Sequence, residues 1–265
     1  MKNLVLIWVL FIVLTACEQK PHQHGSEFKT ATGKTIIVNE KHQHRESLTS
    51  ITIETNGFEN DDTIDFVDID PVSFIQLADL DQNGFDELYI ITQAAGSGSY
   101  LNMIGYASNN DMSFTPIYFP ELNNADFEKG GLFEGYMGHD SFFFQEDKLV
   151  RKFPIYLEND TNNNPTGGEK EISYLLIQSE ATWQLKVQNT YHEKVQIVKD
   201  CSGTYIRMND LDYKVCNDKT LEDTENDAFI NLSFIDINKC KLPDGIAICM
   251  LYHEHVGSAK VLEIH

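Results

Sequence analysis

The segment DLDQNGFDEL, which begins at Asp79, places oxygen-bearing side chains at a spacing that could bind a cation. Its first, third, fifth and ninth positions are Asp79, Asp81, Asn83 and Glu87, and its sixth is a glycine. Calcium takes oxygen ligands spaced in this way around a turn glycine. Ile90 replaces the glutamate expected at position twelve, and strand-forming residues follow. The segment predicts either a calcium site or a metal-free turn closed by its own side chains.

A second candidate lies just downstream, in the loop AAGSGSYLN. Gly96 and Gly98 allow the backbone to take positive φ and to approach a surface closely. Ser97, Ser99 and Tyr100 add hydroxyls without adding charge. Runs of strand-forming residues flank the loop on both sides. This composition indicates a loop that inserts into a partner.

The same region offers little for catalysis. A nucleophilic serine at position 97 or 99 would need His139 and Asp140 as partners, but an adjacent histidine and aspartate form a relay only with awkward geometry. The chain has no nucleophile-elbow pattern, and Leu101 stands where a dinucleotide-binding loop needs its third glycine. No pair of carboxylates is marked out by its spacing for glycoside hydrolysis. We therefore expect a protein that is not an enzyme and requires no cofactor, with calcium as an optional ligand.

The charge of the chain excludes one class of partner. Its 265 residues carry a formal net charge of −21, so its general surface will not bind nucleic acid or anionic lipid. Such a surface attracts basic partners, and it also keeps an exported protein in solution.

The N-terminal segment is typical of an exported lipoprotein. One basic residue and an unbroken apolar run lead to LTAC, which resembles a bacterial lipobox ending at Cys17. Residues 1–17 are therefore predicted to be a signal peptide, with Cys17 lipidated and the protein anchored to a membrane of the cell envelope. In the lipoproteins that this segment resembles, a residue such as Glu18 after the cysteine favours the outer membrane. Residues 18–45 are polar, which predicts a tether.

Alternating apolar and polar residues predict strands through most of the remaining chain. In residues 46–190, stretches of alternating apolar and polar residues are separated by turn segments rich in Asn, Asp and Gly. Long helical periodicity is missing. We expect an all-β protein with an antiparallel β-sandwich or barrel in this region. Residues 191–265 hold short, closely spaced strands. They predict a small barrel-like β domain of the size that disulfides stabilise most.

Four cysteines besides Cys17 lie in this second domain: Cys201, Cys216, Cys240 and Cys249. An even number in an exported protein predicts two disulfides, for which three pairings exist. Short connections favour Cys201 with Cys216 and Cys240 with Cys249. A zinc site is the alternative, but no C-x-x-C spacing supports it.

Two longer stretches carry a resemblance to a known family. LADLDQNGFDELYIITQAAGSGSY and YMGHDSFFFQEDKLVRKFPIYLENDTNNNPTGGEKEISYLL resemble the PliI-like family, the bacterial periplasmic inhibitors of invertebrate-type (I-type) lysozyme. The most specific element is an S-G-x-Y motif, matched by Ser97, Gly98, Ser99 and Tyr100. The resemblance implies a β-sandwich that can form a homodimer. It also implies that the loop enters the lysozyme cleft, with Ser97 and Tyr100 blocking it.

The resemblance predicts a lysozyme inhibitor that protects the bacterial cell wall. The alternative is a calcium-stabilised envelope lipoprotein that binds another protein or a glycan. The lipid anchor and the C-terminal domain depart from the family. That domain repeats the motif as SGTY, from Ser202 to Tyr205. Because this copy follows Cys201 at a strand entrance, we expect a turn pinned by a disulfide there rather than a second inhibitory loop.

Overall fold

The computed structural model describes residues 22–42, 47–179, 182–238, 240 and 252–265. Strands dominate these ranges, and the predicted all-β class is confirmed. Within them, no helix has the length and apolar character needed to cross a membrane. The predicted signal peptide, Cys17 and Cys249 lie outside the described residues.

A four-stranded antiparallel sheet comes first. Its strands, paired in chain order, are β1 (His22–Lys29), β2 (Thr35–His42), β3 (Thr49–Asn56) and β4 (Thr63–Ile69). The prediction of a tether over residues 18–45 is therefore wrong for β1 and β2, which pair along their full lengths. Among the β2 residues 35–41, only Ile36 and Val38 are buried in the core. Two buried positions are too few to show as periodicity, and β3 supplies the pairing that orders the segment.

An eight-stranded sheet forms the centre of the protein. Its strands are β5 (Val72–Ala78), β6 (Glu87–Gln93), β7 (Leu101–Ser108), β8 (Phe114–Tyr118), β9 (Ser141–Gln145), β10 (Lys148–Pro154), β11 (Glu169–Ser179) and β12 (Thr182–Val187). Their order is β5-β6-β7-β8-β12-β11-β10-β9, with β8 and β12 parallel and the other neighbours antiparallel. A short helix, α1 (Asn124–Phe127), lies between β8 and β9.

Strand β6 is buried on both faces. Tyr89 and Ile91 belong to a core inside the eight-stranded sheet, and Leu88 and Ile90 belong to a second core shared with the four-stranded sheet. This double burial explains why ELYIIT is apolar almost throughout instead of alternating. The Tyr89 ring lies 4.9 Å from the ring of Phe144 on β9, so the sheet curls until its two ends approach each other.

The C-terminal unit is a closed five-stranded barrel. Its strands are β13 (Thr190–Asp200), β14 (Gly203–Met208), β15 (Leu211–Val215), β16 (Phe229–Ile237) and β17 (Gly257–Ile264), in the order β13-β14-β15-β17-β16. A 3₁₀ helix covers Asp218–Leu221. The barrel interior is filled by apolar side chains such as Ile197, Leu232 and Phe234.

The disulfide pairing differs from the prediction. Cys216 is bonded to Cys240, and Cys201 is also disulfide-bonded, so both favoured pairs are wrong. Strands β15 and β16 end on either side of the start of β17, where Val215 pairs with Ala259 and Ile237 with Ser258. Closure of the barrel therefore brings Cys216 and Cys240 together. Their pairing could not be predicted from distances along the chain. The bond also rules out zinc binding by this pair.

Candidate functional site

The S-G-x-Y loop connects β6 to β7 and is held by segments distant in sequence. The carbonyl oxygen of Gly98 accepts a hydrogen bond of 2.7 Å from the backbone N–H of His139. The carbonyl oxygen of Ser97 accepts one of 2.9 Å from Nδ2 of Asn162. Across the base of the loop, the N–H of Ala94 donates to the carbonyl oxygen of Tyr100 at 2.9 Å. The loop is therefore braced through its backbone.

A glycine makes this bracing possible. Gly138 has φ +89°, and a Cβ at that position would lie 2.0 Å from the carbonyl oxygen of Gly98. No real contact is that short, so any larger residue would push the loop away. Gly98 is constrained in a similar way, since its Cβ would lie 2.3 Å from the Tyr100 ring.

The side chains of the loop remain available to a partner. Tyr100 is 43% exposed, and Ser97 is exposed as well. Among the residues that the structure describes, none forms a hydrogen bond with the hydroxyls of Ser97, Ser99 or Tyr100. Bracing that uses backbone groups thus leaves three uncharged hydroxyl donors at the surface.

The Tyr100 ring rests on a buried polar support. It packs edge to face on Tyr136 at 5.6 Å between ring centroids. The Tyr136 hydroxyl lies 2.6 Å from Nη2 of Arg151 and 3.1 Å from Oδ2 of Asp140. Burial raises the pKa of Tyr136 despite the nearby Arg151 charge, so its phenol stays protonated. The support is therefore a fixed hydrogen-bonded unit at neutral pH.

Asp140 and Arg151 form a buried ion pair beneath the loop. Their closest N–O distance is 2.6 Å, and both side chains are almost fully buried. Oδ1 of Asp140 also accepts a hydrogen bond of 3.1 Å from the backbone N–H of Leu101, the residue after the motif. The ion pair thus fixes where the loop joins β7.

A groove of about 700 Å³ runs beside Tyr100. Its lining includes Met103, Phe119, Leu122 and Phe127, and Phe127 is itself exposed. A groove lined partly by apolar side chains next to a projecting loop suits a protein-binding surface.

The serine relay considered from sequence is not assembled. Nε2 of His139 lies 3.2 Å from Oδ1 of Asn162, and Asp140 is bonded to Arg151 rather than to the neighbouring histidine. His139 and Asn162 instead support the loop through their contacts with Gly98 and Ser97. The sequence assigned no role to either residue, because the relay through His139 was already disfavoured and Asn162 lies in a run of asparagines without a local signal.

The second copy of the motif adopts a different environment. Tyr205 is 1% exposed, its hydroxyl lies 2.7 Å from Oγ of Ser202, and its ring stacks on His253 at 3.8 Å. Cys201, which immediately precedes the SGTY motif, is disulfide-bonded. SGTY is thus a structural turn with a buried tyrosine, in contrast to the exposed Tyr100.

The predicted cation ligands are largely brought together. Carboxylate oxygens of Asp79, Asp81 and Glu87 lie within 4.8 Å of one another. The side chain of Asn83 instead forms hydrogen bonds within the turn. Its Nδ2 donates to Oδ2 of Asp81 at 2.9 Å, and its Oδ1 accepts from the backbone N–H of Phe85 at 2.8 Å. The structure therefore gathers three of the four predicted ligands.

Burial and mutual repulsion raise two pKa values in this cluster, whose carboxylates already accept hydrogen bonds from the turn, as in Asn83 N–H to Asp79 at 2.9 Å. Glu87 is 1% exposed, and burial, reinforced by Asp81 and Asp79, raises its pKa to about 9. Burial and the nearby Asp79 raise the pKa of Asp81 to about 6. Oxygen ligands at this spacing suit calcium, whose charge would offset the cost of burying several carboxylates.

In the comparisons with known proteins, the chain matches no family model, no curated protein and no solved structure. The comparisons therefore leave the resemblance to the PliI-like inhibitors as an expectation from the two quoted stretches of sequence and the S-G-x-Y motif.

Proposed function

We propose that the protein inhibits a lysozyme of the I-type by inserting the loop from Gly96 to Tyr100 into the active-site cleft. A lipid anchor at Cys17 would hold it in the cell envelope, where the cell wall needs protection. The observation that carries this proposal is the geometry of the loop. Ser97 and Tyr100 are exposed, while hydrogen bonds from His139 and Asn162 hold the loop backbone.

The chemistry of the loop suits the target. A lysozyme cleft is concave and carries two carboxyl groups on either side of the scissile bond. An inhibitor needs a narrow projection that donates hydrogen bonds without bringing carboxylates of its own. Ser97 and Tyr100 provide such hydroxyl donors, and hydrogen bonds to an ionised acceptor are the stronger kind.

The rigidity of the loop also favours tight binding. Binding costs less conformational entropy when the contacting residues are already ordered. The hydrogen bonds from His139 and Asn162 order the loop before any partner arrives. Tyr100 then adds a large, amphipathic contact with few rotatable bonds, as interface anchors usually do.

Surface charge supports the same partner. Many lysozymes are cationic, and a chain with a net charge of −21 attracts them over distance. The association rate constant should therefore fall as the salt concentration rises. A rate constant that does not change with salt would remove charge attraction from the proposal.

The test is inhibition of cell-wall lysis by I-type, chicken-type and goose-type lysozymes, titrated with protein lacking residues 1–17. We expect inhibition of the I-type enzyme, with Ser97→Ala and Tyr100→Ala each losing about 1–3 kcal/mol of binding free energy. Tyr252→Ala is the matched control, because Tyr252 is the most exposed large apolar residue described and lies in the other domain. Full inhibition by the Ser97→Ala/Tyr100→Ala double variant would refute the proposal, as would failure of the wild type against all three enzymes.

The carboxylate cluster favours a second candidate, a calcium-stabilised envelope lipoprotein that binds another protein or a glycan. If calcium binds there, it should raise the melting temperature of the wild type and leave that of Asp79→Asn unchanged. This candidate gains support if calcium stabilises the protein and no lysozyme is inhibited.

A further inference from the structure

Two histidines converge on one serine hydroxyl in the C-terminal barrel. Nδ1 of His192 and Nε2 of His265 each lie 2.7 Å from Oγ of Ser233. Neither histidine belongs to the inhibitory loop or to the carboxylate cluster. Lysozyme inhibition through the S-G-x-Y loop does not explain this arrangement.

The strand register places these side chains on the outside of the barrel. Ser233 pairs with His192 on one side and with Glu263 on the other. Its neighbours in sequence, Leu232 and Phe234, fill the barrel core, so Ser233 and its paired residues face outward. His265 follows Glu263 by two positions and shares its face. Two imidazoles therefore contact Ser233, and Glu263 lies on the same face of the adjacent strand.

A metal ion could take the place of the Ser233 hydroxyl between the two imidazoles. A serine hydroxyl has one proton, so it can donate to only one of the two imidazoles and must accept from the other. Ser233 is only 4% exposed, yet it faces away from the core and carries no apolar packing role there. Both ring nitrogens lie 2.7 Å from one oxygen, so rotation of the two side chains away from the hydroxyl would let them bind a common metal ion at about 2.0–2.1 Å.

We propose that His192, His265 and Glu263 form a binding site for a divalent transition-metal ion, with zinc as the probe. Imidazole nitrogens suit zinc, copper and nickel, whereas the oxygen-only cluster at Asp79 suits calcium. Two histidines and one carboxylate leave a fourth position for water in a tetrahedral zinc site. Glu263 is exposed, and rotation of its side chain would be needed to bring its carboxylate to the two imidazoles.

Such an ion would tie together the first and last strands of the barrel. His192 lies on β13 and His265 directly follows β17, and these strands flank β16 on opposite sides. Metal that binds only the folded barrel stabilises it by mass action. Zinc should therefore raise the melting temperature as well as bind.

The test is calorimetric titration of the full chain, and of its variants, with zinc chloride. We expect the His192→Ala/His265→Ala double variant to bind one zinc ion fewer per chain, and Glu263→Gln to weaken that site by about tenfold or more. His255→Ala is the matched control, because His255 is an exposed histidine whose ring hydrogen-bonds to the carbonyl oxygen of His253. Differences between variants remove the contribution of the other histidines.

Two further results keep the proposal separate from a loss of folding. Ser233→Ala retains both imidazoles, so it should still bind zinc, and circular dichroism should show the Glu263→Gln protein folded as the wild type. The proposal is overturned if the double variant binds as many ions as the wild type with the same affinity. It is also overturned if Ser233→Ala alone removes the site from a folded protein.

Discussion

The backbone N–H of His139 donates a hydrogen bond of 2.7 Å to the carbonyl oxygen of Gly98, joining the S-G-x-Y loop to the segment that precedes β9. The contact links residues 41 positions apart and uses backbone groups only. It therefore orders the loop without consuming the hydroxyls of Ser97 and Tyr100.

Gly138→Ala should displace the loop. The new Cβ would lie 2.0 Å from the Gly98 carbonyl oxygen, in addition to the strain of φ +89°. Gly33→Ala is the control, because Gly33 has φ +84° and nothing within 4 Å of its Cβ position. Both variants carry the left-handed penalty of about 1–2 kcal/mol, but only Gly138→Ala should weaken lysozyme inhibition and cost about 1–3 kcal/mol more. Urea unfolding and lysis assays measure the two effects, and equal behaviour of the variants would disprove the bracing role.

Asp140→Asn should strongly destabilise the eight-stranded sheet, to which Arg151 belongs. It leaves the Arg151 guanidinium buried without its counter-charge, which costs about 3–5 kcal/mol. Glu169→Gln is the control, because it removes a partner of Lys152 from an exposed ion pair of 2.7 Å. That change should alter the free energy of unfolding little. Urea denaturation compares the two, and a mild effect of Asp140→Asn would mean that water reaches the pair.

His253 should make the stability of the barrel depend on pH. Partial burial lowers its pKa, but hydrogen bonds to Asp212 and Asp200 at 2.7 and 2.6 Å outweigh this and raise the pKa above the usual 6.5. A raised folded-state pKa stabilises the protein fully below about pH 6.5 and ceases to do so as the pH rises through the folded value. His253→Gln should therefore cost more stability at about pH 5.5 than at about pH 8.5.

The control for the pH experiment is His255→Gln, which changes a histidine that contacts no carboxylate among the described residues. Thermal unfolding at both pH values measures the effect. If His253→Gln costs the same stability at both values, or more at the alkaline one, the carboxylates of Asp200 and Asp212 do not stabilise the protonated imidazole.

Removing the Cys216–Cys240 bond by the double substitution to serine should destabilise the barrel. The bond joins residues 24 positions apart, and a loop of that size is worth about 3 kcal/mol in chain-entropy terms. Chemical denaturation of the oxidised proteins gives the difference. Peptide mapping provides the independent check, since a peptide linking Cys201 to Cys216 would show that Cys240 is not the partner of Cys216.

Local patterns in the sequence were sufficient to predict the class of fold and the position of the S-G-x-Y loop between two strands. Alternation along β3 and turn residues such as Gly84 report neighbours a few positions away, so the strands and reversals could be predicted. The spacing of Asp79, Asp81 and Glu87 likewise indicated a carboxylate cluster, which the structure assembles. Periodicity failed for β1 and β2, because too few of their residues are buried and their order depends on pairing with β3.

The amino-acid sequence by itself thus determined that the chain is all-β, where it turns, and which short motifs it carries. The tertiary structure decided which copy of S-G-x-Y is exposed, which cysteines are bonded, and that His192 and His265 meet at Ser233. Local patterns arise from backbone and side-chain preferences over a few residues. Sheet closure and burial instead join residues far apart in the chain, and no local pattern records which of the many possible long-range pairings has the lowest free energy.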